Sequence, residues 1–322
     1  SSLVGSEMCI RDRFSDYEAK NYDSISQVLE EYYASRNVYT RIRQKSVDLR
    51  KIVSTALDRN RKKYQLQEKQ LKDTEKRDKY KVYGELIHTY GYGLEEGAKK
   101  LEALNYYTNE MITIPLDSQL DAKGNAQKYF DRYNKLKRTY EALSSLTCQV
   151  KEEIDHLETI STALDIALKE EDLVEIKEEL TQSGYIRRKG GTKKAKITSR
   201  PFHYLSSDGF HIYVGKNNFQ NDELTFKFAT GNDWWFHAKG IPGSHVVVKT
   251  EGKELPDRTF EEAGRLAAYY SKGREQEKVE IDYVQKKQVK KPAGAKPGFV
   301  VYYTNYSLMI DSDISGIEKL SD

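Results

Sequence analysis

Tyr129-Phe-Asp-Arg-Tyr-Asn-Lys-Leu-Lys-Arg-Thr-Tyr-Glu-Ala-Leu143, continued by Val150-Lys-Glu-Glu-Ile-Asp-His-Leu157, decides how this chain folds. The apolar positions Tyr129, Tyr133, Leu136, Tyr140, Leu143, Val150, Ile154, Leu157, Leu164 and Leu168 advance in alternating steps of four and three, with Thr147 and Ser161 as polar fillers. That spacing is a heptad seam. A helix from about Asn125 to about Ser183 is roughly 90 Å long at 1.5 Å per residue, more than a compact domain can use, so it is expected to project. Its partner is sought upstream. From Ser24 to about Tyr80 there is no proline, and Ile42, Leu49, Ile52, Val53, Ala56, Tyr64 and Leu71 form a less regular helical seam. Folding the two arms back antiparallel within one chain satisfies both seams without a second subunit; a parallel homodimeric coil is the alternative. Between the arms, Tyr83–Leu120 carries Gly84, Gly91, Gly93, Gly97 and Pro115 and an extended Met111–Ile114, and reads as a folded tip.

Across 322 residues the hydrophobic fraction is 38% against 32% charged, which fits an elongated element beside a globule. The net charge of +3 is mild, so only local clustering of cations can point to a nucleic acid, and they cluster in the C-terminal third. Cys9 and Cys148 offer neither a disulfide framework nor metal-ligand spacing, which favours a reducing, cytoplasmic setting. No run of about 20 apolar residues exists for a membrane span. Residues 1–13 lack periodicity, meet the helical sequence abruptly at Phe14 and read as a foreign leader; 14–36 then reads as the remnant of a preceding domain and 37–186 as the hairpin with its tip.

Beyond a basic, glycine-bearing linker at 187–199, which opens on Arg187 and Arg188, the period changes from helix to strand. Phe202–Leu205 and Phe210–Val214 flank Ser206-Ser-Asp-Gly209, a hairpin signal. Phe219–Phe228 is expected to be a short helix or turn, and Asp233–His237, His245–Lys249, Val279–Val284 and Phe299–Thr304 to be strands. Thr259-Phe-Glu-Glu262 has the form of a capping box opening a helix to about Ser271. The predicted class is therefore α+β: a long antiparallel coiled-coil hairpin followed by a small α+β domain over 200–315, with a tail at 316–322.

Two features of that domain carry the functional reading. Gln285-Lys-Lys-Gln-Val-Lys-Lys-Pro-Ala-Gly-Ala-Lys-Pro-Gly298 concentrates lysine without one acidic residue, as suits a loop that wraps phosphates. Asp233-Trp-Trp-Phe-His-Ala-Lys-Gly-Ile-Pro-Gly-Ser-His245 gathers two histidines, a serine and an aspartate. These residue types suit a Ser-His-Asp hydrolase or a His-Asp metal site, but no nucleophile elbow and no third ligand at a familiar spacing accompany them, so neither a catalytic group, a metal nor a cofactor is expected. The aromatics Tyr213, Trp234, Trp235, Tyr302 and Tyr303 could stack bases, although strand alternation should bury most of them.

The 233–245 stretch resembles the RNA-binding module of the NFACT family of ribosome quality-control factors, whose bacterial members also carry a fibronectin-binding label. The likeness extends to Ile281-Asp-Tyr283, Lys290–Gly298, Ile114-Pro-Leu-Asp117, Asn125–Phe130 and Tyr133–Lys137. It implies an RNA-facing surface, to which Asp233, Trp235, His237, Lys239, Pro242, Gly243, Ser244, His245, Lys286, Lys287, Lys290, Lys291, Lys296, Arg187 and Arg188 are assigned. The implied partners are the large ribosomal subunit with its ribosomal RNA, tRNA, and a stalled peptidyl-tRNA complex, with no membrane. The implied activity is template-free tailing of the stalled chain, with alanine in bacteria, the bond-forming chemistry belonging to the ribosome. The Asp-Arg pair that the family's N-terminal domain uses for tRNA is not matched by Arg11-Asp-Arg13, so this chain alone is expected to bind RNA but not to support tailing.

Overall fold

The computed structural model describes residues 24–188 and 198–320. The leader read at 1–13, residues 14–23 of the remnant and 189–197 of the linker lie outside the described residues.

The first arm is three helices rather than one: α1 (Ile25–Lys45), α2 (Val47–Thr74) and α3 (Arg77–Tyr90). The chain breaks at buried Ser46, whose hydroxyl donates to the Arg43 carbonyl and accepts from Arg50 Nε, both at 3.0 Å. The tip is a hairpin of β1 (Lys100–Asn105) and β2 (Glu110–Pro115), paired from Lys100↔Pro115 to Asn105↔Glu110. It packs with Leu86 and Ile87 of α3 around Ile114 and Ala126. Gly84 does not break this helix; it lets α3 approach the second arm, since a Cβ there would sit 2.8 Å from the Phe130 ring.

The second arm, α4 (Ala122–Ile166), has 45 residues and so spans roughly 68 Å. It runs antiparallel to α2: Arg50 bonds Asp165 and the Leu164 carbonyl, while Arg61 reaches Glu158 at 2.6 Å. Leu49, Val53 and Leu57 meet Val150, Ile154, Leu157 and Leu164, so the seam closes within one chain. The expected continuous helix to Ser183 does not form. It stops at Ala167, and a separate α5 (Glu170–Gln182) follows because the Asp172 carboxylate accepts the backbone N–H groups of Leu168 and Lys169 at 3.0 and 2.9 Å. Capping by a carboxylate in the first turn is worth about 1 kcal/mol and here decides the break. Leu168 consequently turns outward, and Ile160, outside the heptad positions, becomes fully buried under α5.

The C-terminal domain is an antiparallel sheet in the order β8-β7-β5-β6-β4-β3-β9. Its strands are β3 (Phe202–Leu205), β4 (His211–Val214), β5 (Trp234–Ala238), β6 (Val246–Val248), β7 (Val279–Gln285), β8 (Tyr306–Ile310) and β9 (Glu318–Lys319). Strand alternation sorts the side chains: Phe202, Ile212, Phe236, Val246 and Ile281 pack beneath α7 (Asp257–Tyr269), whereas Trp235, Val247 and Val284 face Leu224 and Val289 on the other side. Two expectations fail here. Phe299–Thr304 makes only an isolated bridge, Lys290↔Val301, because β8 occupies the β7 edge from Val279 to Tyr283. The capping box is absent too: α7 starts at Asp257, Thr259 donates to Asp208 Oδ2 at 2.8 Å, and Glu262 accepts the Ser207 N–H at 2.9 Å, clamping the β3–β4 turn to the helix.

A short helix α6 (Asn218–Glu223), continued by a π-helical turn over Leu224–Phe228, joins this domain to the root of the hairpin. Glu175 accepts from the amides of Asn217 and Gln220 at 2.7 and 2.8 Å, and Glu179 from Asn218 at 2.7 Å. Asp172 accepts from Ser199 at 2.6 Å and lies 3.5 Å from buried Lys216. Burial pushes the Glu179 carboxyl up to about 7 and the neighbouring His156 down to about 4, so both are neutral at mildly acid pH.

The two shifts have opposite consequences. Between the unfolded and folded pKa values of Glu179, the unfolded chain has released a proton that the folded one keeps, so stability falls as pH rises towards 7. For His156 the unfolded chain binds the extra proton, so stability falls as pH drops below its unfolded value. Glu179→Gln keeps the acceptor for Asn218 and removes only the first effect. Thermal unfolding should therefore show Glu179→Gln gaining on the parent far more at about pH 8 than at about pH 5; an equal difference at both would contradict a neutral buried Glu179.

Candidate nucleic-acid interface

Residues 233–245 form β5, a tight loop and the entry to β6, and most of their side chains point inward. Asp233 is 1% exposed. It accepts from Lys249 at 2.5 Å, from the Thr250 N–H at 3.0 Å and from the Thr230 N–H at 2.7 Å. Burial alone would raise its carboxyl, but these donors together hold it below the usual range. Trp235 is fully buried between the two central neighbours of its strand, paired with Val247 and Val284. Asp233 and Trp235 are thus corrected from RNA contacts to structural residues that shape the surface from beneath.

The loop is equally committed. The Pro242 carbonyl accepts the Lys272 N–H, and the Ser244 N–H donates to Tyr270 O, both at 2.9 Å. A Cβ on Gly243 would come within 3.0 Å of Ser271, so glycine permits this close approach to the end of α7. Ser244 and His245 are each 2% exposed and do not offer their side chains to a ligand. The His245 backbone N–H donates to Asn221 Oδ1 at 3.0 Å and its Nδ1 meets the Thr225 hydroxyl at 2.8 Å. Burial, then the adjacent His237, keeps the His245 imidazole neutral; burial also lowers half-buried His237. Their rings lie edge to face, 5.5 Å apart. His245 faces a threonine and Asp233 a lysine, so Ser244, His245 and Asp233 do not assemble as a triad. Among the described residues no group of three or more His, Cys, Asp or Glu is placed to hold a metal ion.

Lys239 remains exposed, beside Glu280 at 2.6 Å. The lysine loop at 285–298 is also outside, yet it is anchored rather than loose. Val289 plugs the Trp235 side of the sheet, Lys291 pairs with Asp222, Lys296 pairs with Glu153 of α4, and the Gly298 N–H donates to Asp222 Oδ1 at 3.0 Å. A cleft of about 360 Å³ lies between this loop and α4, bordered by Glu152, Asp155, His156, Pro292 and Phe299. Of the expected contacts, Lys291 and Lys296 are therefore spent on the fold. Lys287 and Lys290 are exposed without an ion pair among the described residues, and Lys286 lies 5.8 Å from the Phe226 ring. Tyr303, 84% exposed, stands near them in sequence, while the Tyr302 hydroxyl is turned in to Asp282 at 2.8 Å. Arg187 is exposed and Arg188 pairs with Glu178. The amides that dock the domain, Asn217, Asn218 and Gln220, escaped sequence reasoning; their only signal was a cluster of uncharged polar residues in a short helix.

The structure is thus an antiparallel helical hairpin rooted on a small sheet domain, with exposed lysines on an anchored loop. The family description "NFACT N-terminal and middle domains" matches residues 7–199, and "NFACT protein RNA binding domain" matches 200–303. The chain belongs to the NFACT family. It is 39% identical over 310 residues to the Rqc2 homolog RqcH of Streptococcus pneumoniae serotype 2, covering 95% of this chain and 55% of that protein. The corresponding figures for RqcH of Bacillus subtilis are 37% over 308 residues, 94% and 54%. The chain thus spans about half the length of the curated relatives it matches. Among solved structures, the C-terminal part of the fibronectin/fibrinogen-binding protein from Streptococcus suis superposes with a TM-score of 0.69 at 37% identity, covering 86% of this chain and 99% of that one.

Two outcomes follow from these contacts. Lys287→Glu with Lys290→Glu should flatten the dependence of log affinity on log salt for an RNA duplex by about two contacts' worth, at unchanged stability. Asp233→Ala, which strands Lys249 and two backbone donors, should lower unfolding stability in urea by about 3 kcal/mol, and a loss below about 1 kcal/mol would show the pair to be dispensable.

Proposed function

We propose that this chain is the hairpin and RNA-binding portion of a ribosome quality-control factor that binds an obstructed large ribosomal subunit and tRNA in the cytoplasm and supports template-free alanine tailing of the stalled nascent chain. The observation that carries the reading is the pair of unneutralised lysines, Lys287 and Lys290, on a loop pinned by Asp222 and Glu153 at the root of a hairpin roughly 68 Å long. A rigid mount offers the phosphate contacts at a fixed distance from the hairpin tip, as binding two separated parts of one large RNA assembly requires. In this reading the protein positions RNA, and peptide-bond chemistry remains with the ribosome. Membership of the same family as the RqcH proteins supports it.

The test is co-sedimentation of the purified chain with large ribosomal subunits carrying peptidyl-tRNA. The chain should travel with them, and Lys287→Glu/Lys290→Glu should release it at a lower salt concentration. A chain that stays at the top of the gradient with such subunits sinks the proposal. The Streptococcus suis structure gives one further reading, a fibronectin- or fibrinogen-binding surface protein. Saturable binding to immobilised fibronectin, together with absence from the ribosomal fractions, would favour it.

A further inference from the structure

The two sides of α2 treat their cations differently. On one, Arg50 and Arg61 are consumed by cross-hairpin pairs to Asp165 and Glu158, and Lys272 also reaches Glu158, at 3.3 Å. On the other, Lys51, Thr55, Arg59 and Lys63 form one exposed row at intervals of four residues, and these three cations have no ion pair among the described residues. Together with Ile52, Ala56, Asn60 and Tyr185, this row lines an open groove of about 520 Å³ with no carboxylate among the described residues that border it. Asp58, the acid nearest in sequence, faces the opposite groove beside Arg61.

The floor of the groove is a phenol held in place from below. The Tyr185 hydroxyl donates to Glu153, and burial followed by that carboxylate raises it far above the ordinary phenol range, so it stays protonated. Glu153 itself is neutralised by Lys296 from the lysine loop. One carboxylate thus ties the groove to the loop, and exposed Arg187 lies two residues beyond Tyr185.

We infer that this groove at the root of the hairpin is a second nucleic-acid site, in which Lys51, Arg59 and Lys63 take the phosphate backbone of an RNA duplex. Donors recurring every four residues, about 6 Å along a helix, follow one phosphate strand in one direction, and the absence of acidic lining leaves no internal competitor for them. Contacts made to phosphates carry no sequence information, so binding here is independent of sequence. The inference rests on the RNA-binding reading above and extends it from the C-terminal domain to the hairpin.

The test measures binding of a fluorescent mixed-sequence RNA duplex to the full chain across a range of salt concentrations. Lys51→Glu/Arg59→Glu/Lys63→Glu should bind at least about tenfold more weakly, with the log–log salt slope reduced by about 2 to 3. Lys51→Ala/Arg59→Ala/Lys63→Ala, at exposed helical positions where alanine is favoured, should lose most of the same slope without loss of stability. Lys51→Arg/Arg59→Lys/Lys63→Arg should retain it. If the Glu and Ala variants bind as the parent does while Lys287→Glu/Lys290→Glu is impaired, the groove site is wrong and the loop reading stands; an acidic protein as the groove's true occupant would give this result. If neither set of substitutions weakens RNA binding, both readings fall.

Discussion

Three carboxylates, Asp172, Glu175 and Glu179, are buried where the hairpin meets the sheet domain, and the arrangement of both parts depends on how their acceptors are met. Removing a carboxylate from water costs several kcal/mol unless its oxygens find donors. Asp172 finds them on both sides: Leu168 and Lys169 backbone N–H groups within the hairpin, Ser199 and Lys216 from the other domain. Glu175 and Glu179 take theirs from three amides around α6. The junction is not held by these acids alone, since Ile166 of α4 packs on the core of the sheet domain and Lys272 and Lys296 pair with Glu158 and Glu153. Glu179 is not fully met, since its Oε2 has no hydrogen-bond partner; burial, then the neighbouring Glu175, raises its carboxyl to about 7.

That junction explains which parts of the fold were legible. A seam with period 3.5 is a property of one helix and its immediate partner, so the α2–α4 pairing from Val53 to Leu164 could be read locally. The break at Ala167 was hidden because Leu164 and Leu168 keep the seam's spacing across it, although the Asp172 cap that makes it is a local contact. Thr259 and Glu262 show the converse. Their spacing matches a local capping rule, yet the turn at Ser206–Asp208 offers stronger partners, and tertiary contacts displace the local ones. Strand identity failed at Phe299–Thr304, where β-forming residues lie beside an edge occupied by β8, and β1, β8 and β9 were not read as strands.

The candidate site was legible in composition and illegible in allocation. Counting lysines in 285–298 located the loop, but Lys291 and Lys296 are neutralised by Asp222 and Glu153, which lie 69 and 143 positions away in sequence. The Asp233–His245 stretch had the opposite fate. It attracted notice through its histidines, serine and tryptophans, and strand alternation then places Trp235 at the centre of the sheet while the loop is stitched to Tyr270 and Lys272. A residue type that suits chemistry in solution suits packing equally well when its polar atoms are met by neighbours.

The division of the cations into paired and unpaired sets has a mechanical consequence. Lys291 and Lys296 tie the loop to two different elements, α6 and α4, while the backbone N–H groups of Lys287 and Lys290 bond the Gly231 and Val301 carbonyls. Charge held on a rigid mount keeps its spacing when a phosphate arrives, whereas charge on a free loop would first have to be ordered, at roughly 1 to 2 kcal/mol per backbone residue fixed. The ordering entropy is therefore met during folding rather than binding. An acid such as Glu153, which looks from the sequence like an interruption of a basic surface, is one of the residues that hold the lysine loop in place.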